Sequence, residues 1–170
     1  MKPEGRVMEN WDKLNALHLD ALKEIGNIGA GNAATALANM LGSRIQMTVP
    51  RAGVLPIQEI AALVGYEEEP VACVEFTVSG AAPSKIFFLL DESSAYLLID
   101  LLLGKPRGST GGLDEMGSSV LTEIGNILTG SFLSAFSEFC RLKFKPSVPA
   151  FAFDMLGAVL SSAFLEGGYF

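Results

Sequence analysis

The pentapeptide EIGNI occurs twice, at residues 24–28 and 123–127, and the likeness extends well beyond it. At an offset of 99 residues (123 minus 24), residues 20–50 align with 119–149 at ten identities in 31 positions. Leu22, Glu24, Ile25, Gly26, Asn27, Ile28, Gly31, Ala36, Val49 and Pro50 recur as Leu121, Glu123, Ile124, Gly125, Asn126, Ile127, Gly130, Ala135, Val148 and Pro149. A chain of 170 residues that is 49% hydrophobic can bury one substantial core, not two independent ones. The copies therefore belong to one domain over residues 1–170, with internal repeats at about 14–103 and 113–170.

Each repeat opens with a helical period, over 14–41 and 114–141, and runs into an extended stretch, IQMTVP in one and FKPSVP in the other. The first then reads as a strand near 52–57, a short helix at 58–64, strands at 71–79 and 84–91, and a helix at 93–103. GKPRGSTGG at 104–112 is a turn-rich link, and Glu67 to Glu69 form a solvated acidic loop.

At 100° per residue, Glu24 and Asn27 are neighbours on one helix face, together with Asp20, Gly31, Ala34, Thr35 and Ala38. Leu22, Ile25, Gly29, Ala36 and Met40 form the expected buried stripe, and His18 falls on the inner side in a structural role. The second helix presents Ser119, Glu123, Asn126, Gly130, Ser134 and Ser137 outward and Leu121, Ile124, Leu128, Ala135 and Phe139 inward. A glutamate and an asparagine on a solvated helix are ordinary. Gly26, Gly29 and Gly31 in one helix are not, since each costs about 1 kcal/mol relative to alanine. They imply close approach: internal at Gly29, and by an external partner at Gly31 and Gly130, beside Asn27 and Asn126.

A net charge of -7 and a pI near 4.7 leave no electrostatic footprint for nucleic acid or an anionic membrane. Cys73 and Cys140 lie far apart, without a CxxC or a neighbouring histidine, so neither a zinc site nor a disulfide framework is indicated. The N-terminal MKPEGRVMENWDKLN has no apolar signal region, and Asp100 and Asp154 break the longest apolar segments well short of a membrane span. A cytoplasmic location fits these features.

The two copies share a longer pattern: Asp or Ser, three residues, Glu, two residues, Asn, 22 residues, Pro. It is filled by Asp20, Glu24, Asn27 and Pro50, and again by Ser119, Glu123, Asn126 and Pro149. In this the chain resembles the CheC, CheX and FliY phosphatases of bacterial and archaeal chemotaxis, over about residues 14–165, and the two intact copies look like CheC. The resemblance implies an α/β fold, a pseudo-twofold repeat with a mainly antiparallel sheet and two long motif helices on one face. It implies a protein phosphatase acting on the aspartyl phosphate of the response regulator CheY, with Glu24, Asn27, Glu123 and Asn126 catalytic. Asp20 and Ser119 would support them, and Pro50 and Pro149 would shape the backbone.

Neither motif residue is a nucleophile, and one Glu with one Asn makes no metal cage. The resemblance therefore implies no cofactor of the chain's own; the regulator carries the activated phosphate and its Mg²⁺. Asn27 and Asn126 would orient the attacking water, as a glutamine does in GTPases, and Glu24 and Glu123 would pair with a basic side chain of the regulator. The resemblance also implies binding of the receptor deamidase CheD through the segment after Pro149, with Asp154 and Met155 foremost; core packing is an equal reading for Leu156 and Val159. A non-catalytic adaptor that sequesters or regulates CheD is the alternative function. The resemblance further implies two more strands and a terminal helix where this sequence stops at GGYF. Phe151, Phe153, Leu156, Val159, Leu160 and Phe164 would then lack cover, and a second copy or CheD is expected to hide them.

Overall fold

The computed structural model describes residues 15–49, 51–55, 59–60, 62 and 67–167. In chain order these form α1 (Ala16–Leu41), β1 (Pro70–Gly80), β2 (Ser84–Asp91), α2 (Glu92–Leu102), α3 (Glu115–Cys140), β3 (Phe144–Pro146), β4 (Ala150–Met155) and α4 (Leu156–Gly167). The fold is α/β with a mainly antiparallel sheet, as expected.

The two 26-residue helices begin and end alike. Asn15 Oδ1 accepts the His18 N–H at 3.2 Å while His18 Nδ1 accepts the Asn15 N–H at 3.2 Å, a capping box that satisfies two amides of the first turn. Ninety-nine residues on, Asp114 Oδ1 accepts the Gly117 N–H at 2.7 Å. The helices stop at Gly42 and Arg141, both left-handed (φ 61 and 54), again 99 residues apart. His18 is thus structural, but as an exposed cap and not on the inner side.

The buried stripe of α1 is Ile25, Gly26, Gly29, Ala33, Ala34 and Leu37. Ala34 is therefore inside, and Ala36 and Met40 are exposed, contrary to the helical-wheel reading; on α3 Phe139 is likewise exposed, at 57%. Alanines at 33, 34, 36 and 38 give a hydropathy pattern no sharp edge.

β1 is the strand to which all the others pair. β2 runs along one edge, from Val71 opposite Asp91 to Val78 opposite Ser84. β3 and β4 share the other edge, also antiparallel. Val78 lies opposite Pro146 and Glu75 opposite Ala150, so the register slips by one between them and residues 147–149 span the two positions Phe76 and Thr77. This is a β-bulge, a place where a residue without an N–H costs no ladder bond. Ser147 secures it: its N–H donates to the Thr77 carbonyl at 2.8 Å, and its Oγ accepts the Thr77 N–H at 3.0 Å.

The strand expected near 52–57 does not form over 51–55, and residues 45–49 are also outside the sheet. Their repeat mates take strand geometry from β1, and no described strand offers the first copy the same edge. The helix expected at 58–64 lies largely outside the described residues, although Glu59, Ile60 and Ala62 are helical.

One face of the sheet packs Ala72 with Leu37 of α1, Ala95 and Ile99 of α2, and Leu121 and Ile124 of α3, with Phe151 and Phe153 against them. On the opposite face Val71 and Cys73 meet Leu156, Val159 and Leu160 of α4. Leu156, Val159 and Leu160 are thus buried and Phe151 and Phe153 half-buried within the chain, full burial of such a large apolar side chain contributing about 1.5–3 kcal/mol. That corrects the premise on which a second copy or CheD was expected to hide them; the Phe164 side chain lies outside the described residues. The N–H groups of Leu156 and Gly157 donate to the carbonyls of Glu69 and Glu67, both at 2.9 Å, so the exposed acidic run also caps α4 through its backbone.

Asp100 of α2 is fully buried, and the link at 104–112 wraps around it. Its carboxylate accepts the N–H groups of Gly108 (2.7 Å), Ser109 (3.0 Å) and Thr110 (3.1 Å) and the hydroxyls of Ser109 (3.0 Å) and Thr110 (2.6 Å). The Thr110 hydroxyl foremost, then Ser109 and the Gly108 amide, hold its pKa below the usual carboxylate value against the opposing effect of burial. A carboxyl lowered in the folded state stabilises above its unfolded pKa, about 4, and that stabilisation is lost as pH falls through the folded value. Asp100→Asn should therefore lower the melting temperature at pH 7, and the gap to the wild type should narrow below about pH 4. Thermal melts between pH 3 and 7 test this.

Candidate functional site

α1 and α3 pass each other in opposite directions: Gly26 and Gly29 meet Phe132, while Met40 and Leu41 adjoin Ser119 and Val120. A Cβ on Gly29 would stand 3.0 Å from the Phe132 Cα, so the internal approach expected at Gly29 is between the two repeat helices. A Cβ on Gly125 would meet the Val74 side chain at 2.8 Å, and its absence lets α3 rest on β1. Around Gly31 and Gly130, by contrast, nothing lies within 4 Å of an added Cβ.

The motif residues lie on the outer faces, as the helical period predicts. Asp20 and Glu24 are exposed and Asn27 half-buried on α1; Ser119, Glu123 and Asn126 are all exposed on α3. Pro149 is half-buried in the bulge, and Pro50 lies outside the described residues. Asp154 and Met155 are exposed at the end of β4, on the sheet and not on the motif helices. Asp154 Oδ1 accepts the Met155 N–H at 2.7 Å, and Met155 is 50% exposed.

The surroundings of the two pairs differ. Beside Glu123 and Ser119 is a concavity of about 290 Å³ with Met40, Leu41, Leu102 and Val120 as its apolar lining. Along α1, a groove of about 500 Å³ separates Gly31, Ala34, Thr35 and Ala38 from residues 44–48, which double back beside the helix. At its end the Val49 N–H donates to Asn27 Oδ1 at 2.9 Å. Among the described residues no hydrogen bond reaches the Asn126 side chain. Sequence reasoning placed Met40 inside and overlooked Val49, although the Val-Pro at the same distance from both asparagines was a signal for it.

The chemistry of these faces is that of a carboxylate that can pair with a cation and a carboxamide that can both donate and accept. Cys73 is no nucleophile: burial, and secondarily the Glu75 charge, pushes its thiol up to about 11. Both cysteines are free. Among the described residues, no three or more His, Cys, Asp or Glu form a group that could hold a metal ion, and no helix is long and apolar enough to cross a membrane.

The profile of the CheC-like family matches residues 17–54 and 116–152, the two motif helices with the segments that follow them. The chain is 39% identical over 161 residues to the CheY-P phosphatase CheC of Bacillus subtilis, covering 94% of this chain and 77% of that protein. It is 29% identical over 139 residues to the flagellar motor switch phosphatase FliY of the same organism, covering 81% of this chain and 36% of that one. Among solved structures, Thermotoga maritima FliY superimposes with a TM-score of 0.74 at 26% identity, over 85% of this chain and 72% of that chain.

The glycine environments carry a stability test. Gly31→Ala and Gly130→Ala should each stabilise the fold by about 1 kcal/mol, because a helix-interior methyl there meets nothing. Gly125→Ala should destabilise it by about 1–3 kcal/mol through overpacking against Val74. Chemical denaturation of the three variants separates the two cases.

Proposed function

We propose that this chain, which belongs to the CheC-like family, hydrolyses the aspartyl phosphate of a CheY-type response regulator. The observation that carries the reading is the doubled Glu-x-x-Asn face on two paired helices, each with a bare glycine one turn beyond the asparagine. A bare helix surface lets another protein's backbone come close to the carboxamide. The name of the B. subtilis relative supports the substrate.

In this reading the regulator brings the acyl phosphate and its Mg²⁺. Asn126 or Asn27 enters the phosphorylated pocket, and its carboxamide oxygen accepts a hydrogen from a water, leaving a lone pair aimed in line at phosphorus. The water oxygen forms the new P–O bond and the bond to the aspartate oxygen breaks; the products are inorganic phosphate and the free carboxylate, with the water's proton passing to phosphate or solvent. Glu123 or Glu24, one turn from the asparagine, pairs with a basic group of the regulator and fixes the docking angle. At the second site the apolar concavity lined by Met40, Leu41, Leu102 and Val120 adds contact area beside Glu123. Asp20 and Ser119, one turn before the glutamates, support the same contact.

We assign CheD to a separate surface, the exposed pair Asp154 and Met155 at the end of β4, which is independent of both motif faces. Both partners place the protein in the cytoplasm.

The test is the decay of regulator phosphate with and without this chain. Asn27→Ala combined with Asn126→Ala should abolish the stimulated rate while the chain stays folded, the thermal midpoint falling by no more than a few degrees through loss of the Val49 N–H to Asn27 Oδ1 bond. An active double variant would refute the mechanism. Glu24→Lys combined with Glu123→Lys should weaken binding of the phosphorylated regulator at least tenfold, about 1.4 kcal/mol or more, by reversing the docking charge. Unchanged affinity would leave the glutamates without their assigned role.

A further inference from the structure

We infer that Val49 decides which of the two motif sites acts: its backbone amide restrains Asn27, and Asn126 is the working carboxamide of the chain. This rests on the phosphatase reading above. Both repeats place a Val-Pro at the same distance after the asparagine, and a following proline confines each valine to extended backbone. What the two valines then do differs. In the second repeat β1 grips the chain on either side, at Ser147 through Thr77 and at Ala150 through Glu75. Val148 is left on the bulge between them, 88% exposed.

In the first repeat no described strand grips residues 45–49 or 51–55, and 45–49 fold back on α1. The Val49 side chain settles over Gly26, where an added Cβ would be 3.2 Å from Cγ2. Over the repeat mate Gly125, the corresponding place is taken by Val74 of β1. Val49 thus stands in the first half where β1 stands in the second, and from there its N–H reaches Asn27 Oδ1 at 2.9 Å.

The consequence falls on the reacting group. The oxygen that must accept from the attacking water is the one turned inward to Val49, and Asn27 is half-buried while Asn126 is exposed. The oxygen has a second lone pair, but turning it outward into a regulator's pocket breaks that bond and leaves the Val49 amide without a partner. The net worth of one hydrogen bond corresponds to roughly a fivefold handicap for the first site. Val49 is a positioning residue in this sense, acting through Asn27 and not on substrate.

Single-site variants of the full chain, assayed for decay of regulator phosphate, test the inference. Asn126→Ala should remove most of the stimulated rate and Asn27→Ala a smaller share. In the Asn126→Ala background, Val49→Pro, which has no N–H, should raise the remaining rate about fivefold. Val49→Gly, which keeps the N–H but loses the anchor over Gly26, should raise it in the same direction and serves if the proline perturbs the fold. A larger loss from Asn27→Ala than from Asn126→Ala would overturn the inference, as would a fall in rate on Val49→Pro, which would make the amide an aid to Asn27. Amide hydrogen exchange gives a readout without any regulator: Val49 should be protected in the wild type and lose protection at least fivefold in Asn27→Ala. Protection that survives Asn27→Ala would refute the restraint. Asn27-dependent protection in a chain without phosphatase activity would overturn the phosphatase reading and with it the division of labour, but not the hydrogen bond.

Discussion

The backbone of β1 holds the sheet together. Its eleven residues bond to β2 on one edge and to β3 and β4 on the other, so a strand from the first repeat organises the segment that follows the motif helix of the second. To do this it must be buried on both faces where the layers meet, and Val71 to Val74 form an unbroken buried run. α4 covers Val71 and Cys73 from one side; α3 rests on Val74 from the other, through Gly125. Beyond Val74 the burial alternates, and Glu75, ion-paired with Lys85 of β2, marks where cover from α4 gives out. A one-residue slip would interchange the two faces of β1, so packing fixes the register from both sides.

Two glycine contacts then set how closely the motif helices sit. Gly29 against the Phe132 backbone brings α1 onto α3, and Gly125 against Val74 brings α3 onto the sheet. With the inner faces so tightly matched, the helices can leave their outer faces to small and polar residues without loss of the core. The exposed Glu-x-x-Asn pairs depend on that division. So does the apolar concavity beside Glu123, which exists because Met40 and Leu41 of one motif helix overhang the start of the other.

The structure breaks a symmetry that the sequence keeps. Residues 45–50 and 144–149 carry the same terminal Val-Pro and follow helices with matching caps, yet 144–149 become a bulged strand edge and 45–49 a coil along α1. The cause lies outside both segments, in the presence of β1 beside one and not the other. Identical motif residues therefore meet different hydrogen-bond partners: a backbone amide for Asn27, and none among the described residues for Asn126.

Local physics was legible in the sequence. Helical periodicity bounded the two long helices to within two residues, and apolar runs located β1 and β2. The same period put Glu24 with Asn27 and Glu123 with Asn126 on outward faces, because neighbours on a helix surface are fixed by backbone geometry alone. What needed the tertiary structure is what depends on contacts distant in the chain. Asp100 looked like an interruption in an apolar run until the link at 104–112 closed around it. Leu156 and Val159 read equally as core or as interface, and with Leu160 were expected to need another chain's cover, until α4 folded over β1. The fate of 45–49 and 51–55 turned on whether a strand lay beside them, and hydrogen bonding between strands carries no trace in the residues of one strand taken alone. The sequence determined which side chains face outward in each repeat; only the packing around β1 decided that the two outward faces are unequal.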